Sequence, residues 1–112
     1  MSREGLGNFE LMVLLAILRV GHDAYGVPIS RALEESSGRE ALLASVYAAL
    51  ERLESKGLVA STLGEPTAQR GGRAKRFFRV TAAGLRGVVG RVEDEEILGT
   101  HAAPIYLYRL TG

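Results

Sequence analysis

The sequence predicts a mainly α-helical domain with one small β-hairpin. Three observations predict it: apolar residues recur at helical spacing in four segments, two short β-branched and aromatic runs flank a glycine-rich loop, and glycine, proline or threonine marks most segment ends. A chain of 112 residues is long enough for one domain with its own core. Its hydrophobic content of 46% and charged content of 24% are ordinary for a globular protein.

The first helix is predicted from the segment FELMVLLAILRV, and Asn8 just before it is a suitable N-cap. The segment is apolar nearly all the way round, so the helix must be covered on several sides. We expect one cover from the chain's own domain and another from a second subunit. The residues expected at that dimer interface are Leu11, Leu14 and Leu15.

The second helix is marked by Pro28 near its first turn and Gly38 just past its end. Between them, Ile29, Ala32 and Leu33 recur at the spacing of one buried face. A short segment then leads to the third helix.

The third helix is predicted from ASVYAALERLESKG, which ends at a glycine. One face is an apolar stripe at the spacing i, i+4, i+7, made by Val46, Leu50 and Leu53. The opposite face carries small side chains and one long cation: Ala44, Ala48, Arg52 and Ser55. A face with so little bulk allows the helix backbone to approach the base edges in a DNA major groove.

The segments LVASTL and KRFFRV, residues 58–63 and 75–80, predict a two-stranded hairpin with a long loop. Because strand side chains alternate, at least one of Phe77 and Phe78 must face inward, and we expect both to pack rather than to stack on bases. Five cations lie in and beside the loop although the net charge of the chain is only +1: Arg70, Arg73, Lys75, Arg76 and Arg79. Such a segregated charge favours contact with phosphates, although a solvated surface hairpin is the alternative.

A fourth helix is predicted after Thr81, which we expect to cap it. Its apolar stripe has no obvious cover left in the chain, which predicts a second contact with a partner subunit through Leu85, Val88, Val89 and Val92. The predicted divisions are residues 6–80 for a DNA-binding domain, 81–98 for a dimerisation helix and 99–112 for an unassigned tail.

The order helix, helix, helix, hairpin, helix is that of a winged helix-turn-helix, in which the hairpin and its loop, residues 58–80, form the wing. Three blocks resemble the signatures of PadR-like transcriptional regulators: DAYGVPI at 23–29, SVYAALERLESKGLV at 45–59 and GGRAKRFFRVTAAG at 71–84. The chain departs from the family pattern at Ala48, where proline is common. Its short C-terminal part resembles the small subfamily, which has a single dimerisation helix.

The resemblance implies a homodimer that binds a pseudo-palindromic operator in double-stranded DNA, usually as a repressor. Some family members are released by a small-molecule effector, a phenolic acid or planar drug that is held between the subunits. The drug-binding members stack their ligands on tryptophan, and this chain contains none.

The expected DNA contacts fall on two elements. In the third helix they are Ser45, Tyr47, Ala48 and Arg52, and in the wing they are Arg70, Gly71, Gly72, Arg73, Lys75 and Arg76. The glycines allow the loop to lie close to the duplex, and the cations suit phosphate contact better than base reading. For Tyr47 two interpretations stay open, a hydrogen bond from its hydroxyl to a phosphate or packing at the rim of the core.

Catalysis, cofactors and metals are not expected. The chain has no cysteine, and its two histidines, His22 and His101, lack the spacing of metal ligands. No apolar run is long enough to span a membrane, and we expect a cytoplasmic protein. The alternative function is a winged-helix protein-interaction module that docks a basic partner through the acidic run at 93–96.

Overall fold

The computed structural model describes residues 6–65 and 74–94. Its elements in chain order are α1 (Asn8–Val20), a 3₁₀ turn (Gly21–Asp23), α2 (Gly26–Ser37), α3 (Leu43–Ser55), β1 (Val59–Leu63), β2 (Arg76–Val80) and α4 (Ala82–Asp94). The predicted class, a mainly helical domain with a small hairpin, is confirmed. The parts of the predicted divisions that fall at 66–73 and 95–112, among them the tail, lie outside the described residues.

Helix α1 is the centre of the core. It packs against α2, α3, β2 and α4, so that a helix with hardly any polar face is covered by its own domain. Leu11, Leu14 and Leu15 are all buried inside the single chain. The expectation that these three leucines need a second subunit to cover them is therefore corrected.

The start of α1 differs from the prediction. Gly7, not Asn8, is the N-cap residue, and the carboxylate of Glu10 accepts a hydrogen bond of 3.2 Å from the Gly7 amide. This is half of a capping box, in which an acidic residue in the first turn satisfies a free backbone donor. The side chain of Asn8 instead accepts a hydrogen bond of 2.6 Å from Arg91 of α4.

Helix α2 ends as predicted, because Gly38 takes the left-handed conformation, with φ of 72°, that stops a helix. Its predicted inner face, Ile29, Ala32 and Leu33, is buried. The predicted stripe of α3, Val46, Leu50 and Leu53, is fully buried as well. These two helices and α1 enclose one continuous core.

The hairpin pairs antiparallel, with Val59 opposite Val80 and Leu63 opposite Arg76. The outer edge of β2 is tied to the loop after α1, because the Phe78 amide donates to the carbonyl of Ala24 at 2.8 Å. Phe78 is buried in the core, and Phe77, on the other face of the hairpin, meets the ring of Tyr25 edge-on with centroids 5.6 Å apart. Both phenylalanines therefore pack against the protein.

Helix α4 is fastened to the exit of α3. The Thr81 hydroxyl accepts a hydrogen bond of 3.1 Å from the Gly84 amide, which confirms the predicted cap, and it donates to the carbonyl of Gly57 at 2.7 Å. A Cβ on Gly84 would lie 2.1 Å from the carbonyl oxygen of Leu58, so only glycine fits. Val88 is fully buried in the core, which corrects the expectation that nothing in the chain covers the apolar stripe of α4.

Candidate nucleic-acid interface

Helix α3 presents a solvent-exposed face of small side chains. Ala44, Ser45, Ala48 and Ser55 are all exposed there, on the side of the helix away from its buried stripe. Tyr47 and Arg52 are also exposed, so all four residues predicted in this helix to contact DNA point outward. The arrangement leaves the backbone of α3 open to approach by another surface.

The turn between α2 and α3 is held rigidly at one residue. The hydroxyl of Ser30 donates to the Ala41 carbonyl at 2.9 Å, and the carboxylate of Glu34 accepts from the Ala41 amide at 3.0 Å. Both anchors come from α2, so the two helices of the helix-turn-helix are joined by hydrogen bonds as well as by apolar packing. The position at which α3 begins, immediately after this anchor, is therefore fixed.

The far end of α3 is tied to α1 by a buried carboxylate. Glu10 is only 6% exposed, and it accepts hydrogen bonds from Arg52 Nε at 3.0 Å and from Lys56 Nζ at 2.9 Å. Burial alone would raise the pKa of Glu10, but the hydrogen bonds from Lys56, Arg52 and the Gly7 amide hold the pKa below its ordinary value. Glu10 is thus an anion in the folded protein at neutral pH.

This ion cluster was missed in the sequence. The position of Glu10 in the first turn of a helix signals a capping role, but nothing in the local pattern points to partners 42 and 46 residues later. The consequence for the site is that Arg52, predicted to reach a base or a phosphate, has its Nε engaged inside the protein. About half of the Arg52 side chain, 53%, remains exposed.

Two of the wing cations that the structure describes, Lys75 and Arg76, point in different directions. The Lys75 ammonium lies 4.1 Å from the centroid of the Tyr25 ring, a cation–π contact. Arg76 donates to the Ser61 hydroxyl at 2.9 Å, and that hydroxyl donates to Glu54 of α3 at 2.8 Å. Arg76 therefore lies on the same side of the hairpin as α3. The other predicted wing residues, Arg70, Gly71, Gly72 and Arg73, lie outside the described residues.

The sequence profile of the PadR-like transcriptional regulator family matches residues 14–88, well over half of the chain. That range contains α2, α3, the wing and the start of α4, which are the elements that carry the exposed face and its supports. The chain belongs to the PadR-like family. Its members are transcriptional regulators and not enzymes, and membership implies regulation of transcription through DNA binding.

Solved structures share the fold of this PadR-like protein. A transcriptional regulator from Clostridium thermocellum is 24% identical, with a TM-score of 0.65 over 88% of this chain and 91% of that one. A PadR family transcription regulator from Clostridium difficile R20291 is 23% identical, with a TM-score of 0.64 over 82% of this chain and 92% of that one. The hsRosR protein, in a complex structure named hsRosR-S1, is 29% identical, with a TM-score of 0.59 over 79% and 70% of the two chains. The search of curated proteins found no match.

In this PadR-like protein Tyr25 and Gly26 stand at the start of α2, and packing explains the glycine. A Cβ on Gly26 would lie 2.2 Å from the hydroxyl oxygen of Tyr47. Glycine is therefore the residue that lets the ring of Tyr47, itself 40% exposed, rest against the start of α2. Of the two interpretations of Tyr47, rim packing describes the contact in the structure, and its exposed part stays accessible to a ligand.

The outer side of α4 carries an open apolar groove. It is lined by Ala82, Leu85, Arg86, Val89 and Gly90. Among the described residues, a Cβ on Gly90 would meet no atom within 4 Å other than those of its chain neighbours and of the backbone of its own helix. Of the residues predicted at the dimer interface, Leu85 and Val89 lie at this surface, Leu11, Leu14, Leu15 and Val88 lie inside the core, and the side chain of Val92 lies outside the described residues.

The described residues contain no group of three or more histidine, cysteine or carboxylate side chains arranged to hold a metal ion. Across the same residues no helix is long and apolar enough to cross a membrane. His22 follows α1 in the 3₁₀ turn, and His101 lies outside the part of the chain that the structure describes.

Proposed function

We propose that this PadR-like protein is a sequence-specific DNA-binding repressor that binds a pseudo-palindromic operator as a homodimer. The observation that carries the proposal is the exposed face of α3, where small side chains lie on the side of the helix opposite its fully buried stripe. A helix built in this way can enter the major groove with its backbone close to the base edges.

In the proposed complex, α3 lies in the groove and the wing holds the DNA backbone. Ser45, Tyr47, Ala48 and Arg52 face the duplex from α3. The backbone contacts come from Arg70, Gly71, Gly72, Arg73, Lys75 and Arg76. The link from Arg76 through Ser61 to Glu54 supports this assignment, because it fixes the base of the wing to the groove helix.

The proposed dimer forms through the outer surface of α4. The groove on α4 supports this, because it is apolar, open and lined by Leu85 and Val89. Two-fold symmetry would then place the two half-sites one helical turn apart, about 34–36 Å.

Replacing Val89 with glutamate is expected to shift sedimentation towards the monomer. Val27→Glu, at an exposed valine of α2, is the matched control and is expected to leave the dimer intact. A Val89→Glu protein that still sediments as a dimer would refute the α4 interface.

Two further parts of the proposal come from the family. A small planar or phenolic effector bound between the subunits would release the DNA, by a contact other than tryptophan stacking, since the chain has no tryptophan. The protein would act in the cytoplasm, where the operator DNA is.

The proposal is tested by the salt dependence of DNA binding. Each phosphate contact releases counterions, so affinity for operator DNA is expected to fall steeply as salt rises, and Arg73→Ala with Arg76→Ala is expected to flatten the slope by about 1–2. Arg19→Ala is the control, because Arg19 is already paired with Glu35 at 3.3 Å and its loss leaves the slope unchanged. An unchanged slope in the double variant would reject the wing as a DNA contact. A protein that binds no DNA would favour the protein-interaction module instead.

A further inference from the structure

The start of α3 exposes two leucines. Leu42, the N-cap residue, is 63% exposed, and Leu43 is 40% exposed. Leu43 and Tyr47 are four residues apart and share a face of the helix. We call Leu42, Leu43 and Tyr47 the α3 apolar patch.

The stability of α3 does not explain a leucine at its N-cap. Serine, threonine, aspartate or asparagine would accept a hydrogen bond from the free amides of the first turn, and Leu42 makes no such bond. The core does not explain it either, because most of the Leu42 side chain is in solvent. The anchors from Ser30 and Glu34 to Ala41 hold the backbone immediately before Leu42 in place. The outward position of the two leucines is therefore built into the turn.

The polar groups that the first two turns offer for base reading are few. From Leu42 to Leu50, the exposed side chains that can form hydrogen bonds are those of Ser45 and Tyr47, each through its hydroxyl. The next one along the helix is Glu51. The first cation of the helix is Arg52, at its other end, with its Nε held by Glu10. Bidentate reading of guanine by arginine or of adenine by asparagine or glutamine is thus absent from the described residues at the start of α3.

One base offers an apolar group in the major groove, and that is thymine, through its C5-methyl group. In helix-turn-helix proteins the N-terminal residues of the groove helix are the ones that reach base edges. We propose that the α3 apolar patch reads thymine methyl groups, so that Leu42 and Leu43 set the sequence preference of each half-site. The inference rests on the proposed function, since it requires α3 to enter the groove.

The experiment replaces thymine by deoxyuridine, which removes the methyl group and keeps every hydrogen-bonding group of the base. An operator duplex is first obtained by selection from randomised DNA, and each thymine of one half-site is then replaced in turn. Burial of one methyl group predicts about a fourfold loss of affinity at each contacted thymine. Replacement of thymines outside the half-sites is expected to change nothing.

Protein variants assign the effect to the patch. In Leu43→Ala and Leu42→Ala, affinity for the thymine operator falls, and the additional loss from deoxyuridine at the contacted position disappears. Leu63→Ala removes a leucine of β1 that is as exposed as Leu42, and it is expected to keep the full deoxyuridine loss. All three positions are exposed, so circular dichroism is expected to show folded protein throughout.

The outcomes separate the inference from the proposed function. Specific binding with the same affinity for thymine and deoxyuridine operators overturns the inference and leaves the repressor proposal standing. Failure to select any DNA overturns both. If Leu42→Ala and Leu43→Ala change the sedimentation of DNA-free protein, the patch is an interface between copies, and the inference is overturned as well.

Discussion

The ion cluster at Glu10 predicts a large loss of stability from a change that keeps the shape of the side chain. In Glu10→Gln, the amide retains one oxygen for the Gly7 amide or for a cation, but its NH₂ group faces the other cation. The carboxylate is 6% exposed, so the lost charge is a buried one. Arg52 and Lys56, with side chains 53% and 34% exposed, can turn to water and recover part of their solvation.

The expected loss of stability follows from the pairing of a buried carboxylate with two partly exposed cations. Hydrogen bonds to a charged group contribute about 1.5–3 kcal/mol each when they are desolvated, whereas exposed ion pairs contribute about 0.2–1 kcal/mol. Two such bonds to half-exposed cations give about 2 kcal/mol for the whole substitution. In a domain of this size that corresponds to a fall of roughly 10 °C in Tm.

The loss should depend on pH. Because the folded-state pKa of Glu10 lies below the unfolded-state pKa, the folded protein binds fewer protons, and this stabilisation is present above the unfolded value. It is lost as the pH falls from the ordinary glutamate value, about 4.3, through the folded pKa. The difference between wild type and Glu10→Gln is therefore expected in full at pH 7 and to shrink in acid.

The assay is urea unfolding followed by circular dichroism, at one fixed protein concentration because dimerisation would add to the apparent stability. Glu51→Gln, at an exposed carboxylate of α3, is the control and should change the free energy of unfolding by less than about 0.5 kcal/mol. Equal stability of Glu10→Gln and wild type at pH 7, or a difference that stays constant down to pH 3, would refute the reasoning.

Two other substitutions test close contacts, and a third tests the N-cap of α3. Gly84→Ala puts a Cβ 2.1 Å from the backbone carbonyl of Leu58, and urea unfolding should show a loss of about 3 kcal/mol or more; wild-type stability would contradict the fixed path of the chain into α4. Gly26→Ala puts a Cβ against the hydroxyl end of the Tyr47 ring, which is 40% exposed and can turn towards solvent, so we expect a loss of about 1 kcal/mol or less, together with a changed tyrosine fluorescence; an unchanged spectrum would argue against the contact. Leu42→Ser supplies a side chain that can cap α3, so it should raise the free energy of unfolding by about 1 kcal/mol while weakening specific DNA binding. A variant that is more stable and also binds its operator more tightly would contradict a role of Leu42 in DNA recognition.

Local patterns in the sequence predicted the elements well, because each rests on neighbours in the chain. The stripe Val46, Leu50 and Leu53 follows from helical spacing, and the cap at Thr81 and the stop at Gly38 follow from backbone chemistry. The exposed face of α3 could be predicted for the same reason, since one buried stripe determines the opposite side.

Contacts between distant segments could not be read in this way. The partners of Glu10 lie on another helix, and the clash at Gly84 involves a carbonyl that only the folded chain brings near. The burial of Leu11, Leu14 and Leu15 was predicted correctly, but its cause was assigned to a second subunit. The apolar pattern of a helix indicates that a face must be buried, but it does not indicate which segment or subunit packs against that face.

The two ends of α3 are held by different means, and this bears on how operator spacing is set. The N-terminal end is anchored through Ala41 to α2, whereas the C-terminal end is tied through Arg52 and Lys56 to Glu10 of α1. If α4 joins the subunits, as proposed, the Glu10 cluster connects the groove helix to α1, which packs against α4 at the dimer interface. Loosening the cluster should then alter the angle between the two groove helices more than the preference for bases within one half-site. Glu10→Gln is accordingly expected to bind operators over a wider range of half-site spacings than wild type does. The loss of affinity caused by deoxyuridine should stay unchanged. Affinities for operators with different spacer lengths would measure the tolerance of spacing separately from the deoxyuridine effect.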